Sequence, residues 1–422
     1  ATAGGAIDVA EIATNAGVID LRATGTITDA TMADMAGSTV GANLLTQTGR
    51  IFLTGQSVGA VDPTGAAFLD VAGPAASVRV VDPTQQGATT AFLRTDAAAL
   101  PGATGMGATD GAYLSVLDAN VVDAIVSNRG VGIAQDVGDI AWTGAGSALR
   151  SLNDGDVALI ARNGAIDLVD DLNAGAGAIT LRARNAITNS GDALATANRL
   201  TAISETAHVG SAAQALRTDA QSVALFARTG AVVMDEGSDA KTLAVSTYAP
   251  TGTDPLTADP LSDGDITVLA RGAIAVEAFA LDTGNATLGA GYFHGGGAAP
   301  TTEAALLAGL TGTNGRIVEG AGSALSVQTG RALLAASRSV GAAGTFETDG
   351  DASGFFGIDL GGLVAPSGLR AVTSGADIAS GDGVFLSAQG SATGAQFGGA
   401  NLSVQSAGAV GLAAEGDLNW DA

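Results

Sequence analysis

The sequence predicts an all-β fold, a parallel β-solenoid of about 20 rungs with 20–23 residues in each, and three observations predict it. First, Leu159, Leu181, Ile203 and Leu225 follow one another at intervals of 22 residues, each inside a frame of hydrophobic, any, Ala, polar. The series continues through Val245, Val268 and Leu288 at spacings of 20, 23 and 20. Second, the chain carries 62 glycines and many alternating stretches such as Ser222 to Ala227, the pattern of short strands joined by tight turns. Third, apolar residues make up 46% of the chain but aromatics only 4%, so Val, Leu, Ile and Ala must fill the interior in thin layers.

Taken in order, Gly5-Ala-Ile7-Asp-Val9 reads as a rung, and Ile19-Asp-Leu21-Arg-Ala23 with Ile27-Thr28 as the next. That second phrase returns as Ile179-Thr-Leu181-Arg-Ala183 with Ile187-Thr188. Val61-Asp-Pro-Thr and Val81-Asp-Pro-Thr share a turn, and residues 97–111, a Gly/Ala-rich segment around Pro101, are expected to leave the coil as a loop. The most regular stretch is 154–288. It is broken at 248–263, where Pro removes ladder donors, and is followed by a second loop at 289–302 containing Tyr292, Phe293 and His294. Leu325-Ser-Val327-Gln328 returns as Leu402-Ser-Val404-Gln405, and the pattern still reads as rung at Val410 to Leu412 and at Trp420. The expectation is one elongated body over 1–422, about 95 Å long at the spacing of stacked strands, with no capping layer at either end.

The formal charge is −24, and Lys241 is the only lysine. A polyphosphate binder needs a basic stripe, so nucleic acid is not an expected partner. With no cysteine, disulfide scaffolds, thiolate metal sites and Cys nucleophiles are excluded together. No run approaches 18 apolar residues, which argues against a membrane-spanning chain, and the sequence as given opens without a signal peptide.

Two phrases carry a family resemblance: Gly155-Asp-Val157-Ala-Leu159-Ile-Ala161-Arg-Asn-Gly164-Ala-Ile166 and Gly264-Asp-Ile266-Thr-Val268-Leu-Ala270-Arg-Gly272-Ala-Ile274. They resemble the repeat region of large bacterial exoproteins of the filamentous haemagglutinin type, exported by two-partner secretion, and more broadly right-handed β-helical adhesins. The resemblance implies a right-handed parallel β-helix and a secreted or cell-surface location. It also implies one inward column of Leu159, Leu181, Ile203, Leu225, Val245, Val268 and Leu288. Ala161, Ala183, Ala227 and Ala270 would fill the tight corners.

Arg162, Arg184, Arg228 and Arg271 each stand three residues after a column position. They read either as a ladder for an acidic glycan or as a solvated face balanced by Asp167, Asp170 and Asp171. Tyr292 and His294 are further candidate contacts for a partner. The Asp-Gly-Asp turns Asp154/Asp156, Asp263/Asp265 and Asp349/Asp351 offer hard oxygen ligands for Ca²⁺, although Asp-Gly is also an ordinary tight-turn dipeptide. No other cofactor is expected. Some glycan-cleaving enzymes share the β-helix, but Asp170-Asp171 stands alone and the chain has only His208 and His294. The expected function is therefore non-enzymatic: a rod-like stalk or adhesin segment of a bacterial cell surface that meets a host or neighbouring-cell glycan or protein. The alternative is a filament subunit that joins copies of itself end to end, and a polysaccharide-degrading enzyme is the remaining class.

Overall fold

The computed structural model describes residues 1–14, 18–30, 44–46, 50–55, 57–59, 69–72, 77–81, 111–116, 121–127, 130–135, 138–142, 149–151, 155–238, 240–248, 262–293, 298–327, 330–341, 356–358, 368–374, 382–388 and 401–414. The fold is all-β, with 59% strand and 3% helix, and the ladders that join its described strands are parallel. Two units are distinguished, Ala1–Leu200 and Thr201–Ala422.

In the first unit a six-stranded sheet collects Thr2–Ala3, Val18–Ala23, Arg50–Thr54, Ser77–Val81, Val121–Ser127 and Leu149–Ser151. A second ladder runs in register through Ile7, Ile27, Val58, Ala112, Val131, Val157 and Ile179. A third joins Ile140, Ile166 and Ile187. Each strand pairs with one a full turn of chain away, because parallel neighbours cannot be joined by a tight hairpin. Residues at alternate positions face the interior, which is why Val157, Leu159, Ala161, Ile179, Leu181 and Ala183 are all buried.

The second unit has two long ladders. One runs through Met234, Val268, Leu288, Leu334, Ala371 and Val404. The other joins Val223, Val245 and Val276, and further along Ile274, Ile317, Val340, Val384 and Val410. Corners of successive coils touch through glycine. A Cβ on Gly264 would lie 1.6 Å from the Gly230 carbonyl oxygen, one on Gly284 2.1 Å from that of Gly264, and one on Gly330 1.9 Å from that of Gly284. Only a residue without a side chain fits such a column.

Two expectations need correction. All seven column residues are buried to 0% exposure, but they do not form one row: Val245 pairs with Val223 and Val276, whereas Val268 pairs with Met234 and Leu288. The phrase encodes a strand and its corner, and the chain reuses it on different faces. Ile19 accordingly pairs with Ile51 in the six-stranded sheet, whereas its sequence counterpart Ile179 lies in the ladder that contains Ile27. The step is not uniform either. Asp265 meets Asn285 at 20 residues, but Asn285 meets Arg331 at 46, because 291–310 is inserted between them.

That insertion holds α1 (Glu303–Ala308), the only helix among the described residues. Thr302 caps it by accepting the Ala305 N–H at 3.2 Å. Leu306, 2% exposed, packs beside Leu269 and over Gly289, where a Cβ would come within 2.9 Å of the leucine. The outward apolar face made by Val233, Leu269 and Ala335 is thereby covered by Tyr292, Ala299, Leu306 and Leu310.

Candidate functional site

The Asp-Gly-Asp carboxylates whose surroundings are described reach from one turn to the next. Asp156 Oδ1 accepts the Ala178 N–H at 2.7 Å, 22 residues on. Asp265 Oδ1 accepts the Asn285 main-chain N–H at 2.8 Å and its side-chain amide at 2.9 Å. The Asp263 main-chain oxygen takes the Thr283 hydroxyl at 3.2 Å. Asp154, Asp349 and Asp351 lie outside the described residues. The same device recurs at aspartates that the repeat did not single out. Asp139 accepts the Ala165 N–H at 2.7 Å and Asp171 the Leu194 N–H at 2.8 Å.

Asp167 is the fullest case. Its carboxylate takes the Thr188 hydroxyl at 2.7 Å, the Ser190 hydroxyl at 2.6 Å and the Ser190 N–H at 3.1 Å. Partial burial pushes its pKa up, and these donors more than reverse that, holding it below the usual carboxylate value. The chemistry available at these aspartates is the stapling of coil to coil by charge-assisted hydrogen bonds.

The arginines divide between the units. Arg162 and Arg184 follow the paired ends Ala161 and Ala183, and the Arg184 N–H donates to the Ala161 oxygen at 2.9 Å. They are one turn apart on one ladder. Arg228 follows Leu216–Ala227, whose end pairs with Thr242–Thr247, while Arg271 follows Ile266–Ala270, which pairs with Val232–Glu236. Arg228 and Arg271 therefore stand on different ladders, and the four do not make one column. The physical cause is the reuse of the strand phrase on different faces.

Around the insertion, Tyr292 is 8% exposed and packs on Gly309, where a Cβ would lie 2.2 Å from its ring. Burial and the nearby Asp235 charge raise its phenol pKa. The side chain offered to solvent is its neighbour Phe293, 50% exposed, with the Arg271 guanidinium 4.8 Å from the ring centroid. His294 lies outside the described residues.

Sequence reasoning missed Asp235 and Glu236, both buried. The signal was present: Val232, Met234 and Glu236 fall on one face of a strand by alternation, which aims a glutamate inward. Glu236 is 0% exposed; its Oε1 accepts the Ser238 N–H at 2.9 Å, and its Oε2 has no hydrogen-bond partner among the described residues. Burial is the chief cause that pushes its pKa up to about 7, helped by the Asp219 and Asp235 charges and opposed by the Ser238 N–H and Lys241. Lys241 itself forms an ion pair with Asp219. Among the described residues, no helix is long and apolar enough to cross a membrane, and no group of three or more His, Asp or Glu is placed to hold a metal ion. No protein-family model, no curated protein and no solved structure matches the chain.

Proposed function

We propose that the chain is a non-enzymatic structural segment of a secreted or cell-surface bacterial protein, a right-handed parallel β-helix acting as a rod-like stalk or adhesive body. One observation carries this reading. Asp139, Asp156, Asp167, Asp171 and Asp265 give their carboxylates to donors of the following coil. Main-chain ladders already join the turns, so these side chains add a second set of bonds along the same direction. A chain that directs its charged groups this way is suited to resist extension and bending. The right hand is what the family resemblance implies. The partner in this reading is a glycan or protein of a host or neighbouring cell.

Negative-stain electron microscopy of the purified chain, with a cell-binding assay and a reducing-end assay on acidic polysaccharides, tests the proposal. Stiff single rods that adhere to cells and release no reducing ends are expected. Globular particles, or released reducing ends, would overturn it, and fibres would move the function to a filament subunit. A rise in melting temperature with added Ca²⁺ would reassign Asp263 and Asp265 from stapling to metal binding.

A further inference from the structure

We propose that Glu236 is a proton-operated lock on its coil: protonated, it lets the strand Val232–Glu236 and the following Gly237 and Ser238 close over the interior, and loss of the proton loosens that corner. The placement of the side chain comes first. In register, Glu236 lies between Thr218 on one side and Ala270 on the other, in the inward row that otherwise holds Val232 and Met234. It is the row's one carboxyl, it is fully buried, and one of its oxygens has no hydrogen-bond partner among the described residues. An ionised carboxylate in that position lacks the donors that Asp167 has, so the charged form is disfavoured by desolvation.

The charges around it do not rescue the anion. Asp219 and Arg217 come from the strand Leu216–Ala227, with Arg217 in register with Asp235, the neighbour on its own strand. Arg271 follows Ile266–Ala270 and gives its main-chain N–H to the Glu236 carbonyl at 3.0 Å. Lys241, in the turn, is engaged by Asp219. Asp219 and Asp235 both oppose ionisation, and with burial they place the titration near neutrality.

The corner is also where the chain passes from one ladder of the second unit to the other. Met234 and Glu236 pair with Leu216 and Thr218, while just beyond the turn the Lys241 carbonyl accepts the Ala273 N–H at 3.0 Å. A charge that forces the Glu236 side chain toward water must disturb this junction, and the Ala273 N–H bond to the Lys241 carbonyl is the first to open.

Hydrogen exchange on the intact chain tests the lock. Between about pH 6 and about pH 8, after correction for intrinsic rates, peptides covering Val232–Lys241 should lose about tenfold in protection while those covering Val157–Ala161 hold theirs. Glu236→Gln should keep its protection at both values. The same pH response in both proteins, or none in the native chain, would overturn the proposal. Should Glu236→Gln fail to fold, carboxyl ¹³C titration of the glutamate-labelled native chain decides. One resonance with a midpoint near 7 supports the lock, and titration of every glutamate in the ordinary range ends it.

Discussion

Asp167 in the first unit and Glu236 in the second are carboxylates on the same kind of scaffold, yet one is held below its ordinary pKa and the other is pushed up to about 7. Their chemistry differs little; their positions differ completely. Asp167 is the outward middle residue of the strand Ile166–Leu168, where the next coil presents two hydroxyls and an N–H. Glu236 stands in an inward row with Val232 and Met234, between Thr218 and Ala270, where one of its oxygens has no hydrogen-bond partner among the described residues. The coil gives the outward carboxylate three donors and the inward one a single N–H. The same acidic residue is therefore a fastener at one place and a liability at the other.

The largest effect expected from this difference is that of Leu181→Asp. Leu181 is 0% exposed and stacks on Leu159, so the variant builds a second inward carboxylate, without even the one donor that Glu236 has. It should lose about 4 kcal/mol or more, and lose more above neutral pH than below, read by urea denaturation across pH. A loss under 1 kcal/mol would break the comparison, since inward rows would then tolerate charge.

Next comes Glu236→Leu, which removes the liability. The folded pKa of Glu236 lies above its unfolded value of 4.5, so its contribution to stability is fully present below about pH 4.5 and is lost as pH rises to about 7. The difference amounts to about 3 kcal/mol. The leucine variant should therefore be more stable than the native chain at pH 8 and should lack the decline between those limits. Parallel pH profiles for the two proteins would show that the glutamate is already solvated.

Asp167→Asn ranks third. Here the sign reverses: the folded pKa is lowered, so the stabilisation is present above the unfolded value near 3.8 and is lost as pH falls through the folded one. Because the site is partly exposed, the loss at neutral pH should be about 1 kcal/mol, and the acid limb of the stability curve should become shallower. An acid limb identical to that of the native chain would remove the stapling role.

Much of this was legible in the sequence, and the rest failed for physical reasons. The period at Leu159, Leu181, Ile203 and Leu225 identified strands and buried positions, because layered packing forces an apolar residue at each return. It did not tell which face a strand joins. Ile19 and Ile179 sit in the same phrase but in different sheets, since the length of chain between corners, not the phrase, sets the pairing. The insertion carrying α1 was foreseen only as a loop at 289–302, and the helix begins at Glu303, just beyond it. The staples were invisible because donor and acceptor are 20 or more residues apart. Glu236 needed only the alternation of Val232-Val-Met-Asp-Glu236 taken seriously.

The smallest effect is expected at Asp265, and it isolates the geometric part of the comparison. Its carboxylate is exposed and accepts two bonds from one residue, Asn285, so water competes for every contact. Asp265→Ala should cost about 0.5 kcal/mol in global stability, near the limit of a denaturation measurement. Its local effect should be plainer. The Asn285 N–H loses its acceptor, and the Asn285 side chain, whose oxygen accepts the Arg331 N–H at 3.0 Å, loses its anchor. Faster amide exchange at both Asn285 and Arg331, 46 residues apart, would show that a surface carboxylate fixes the start of two successive turns. Acceleration at Asn285 alone would confine each staple to a single step and make the fastening pairwise.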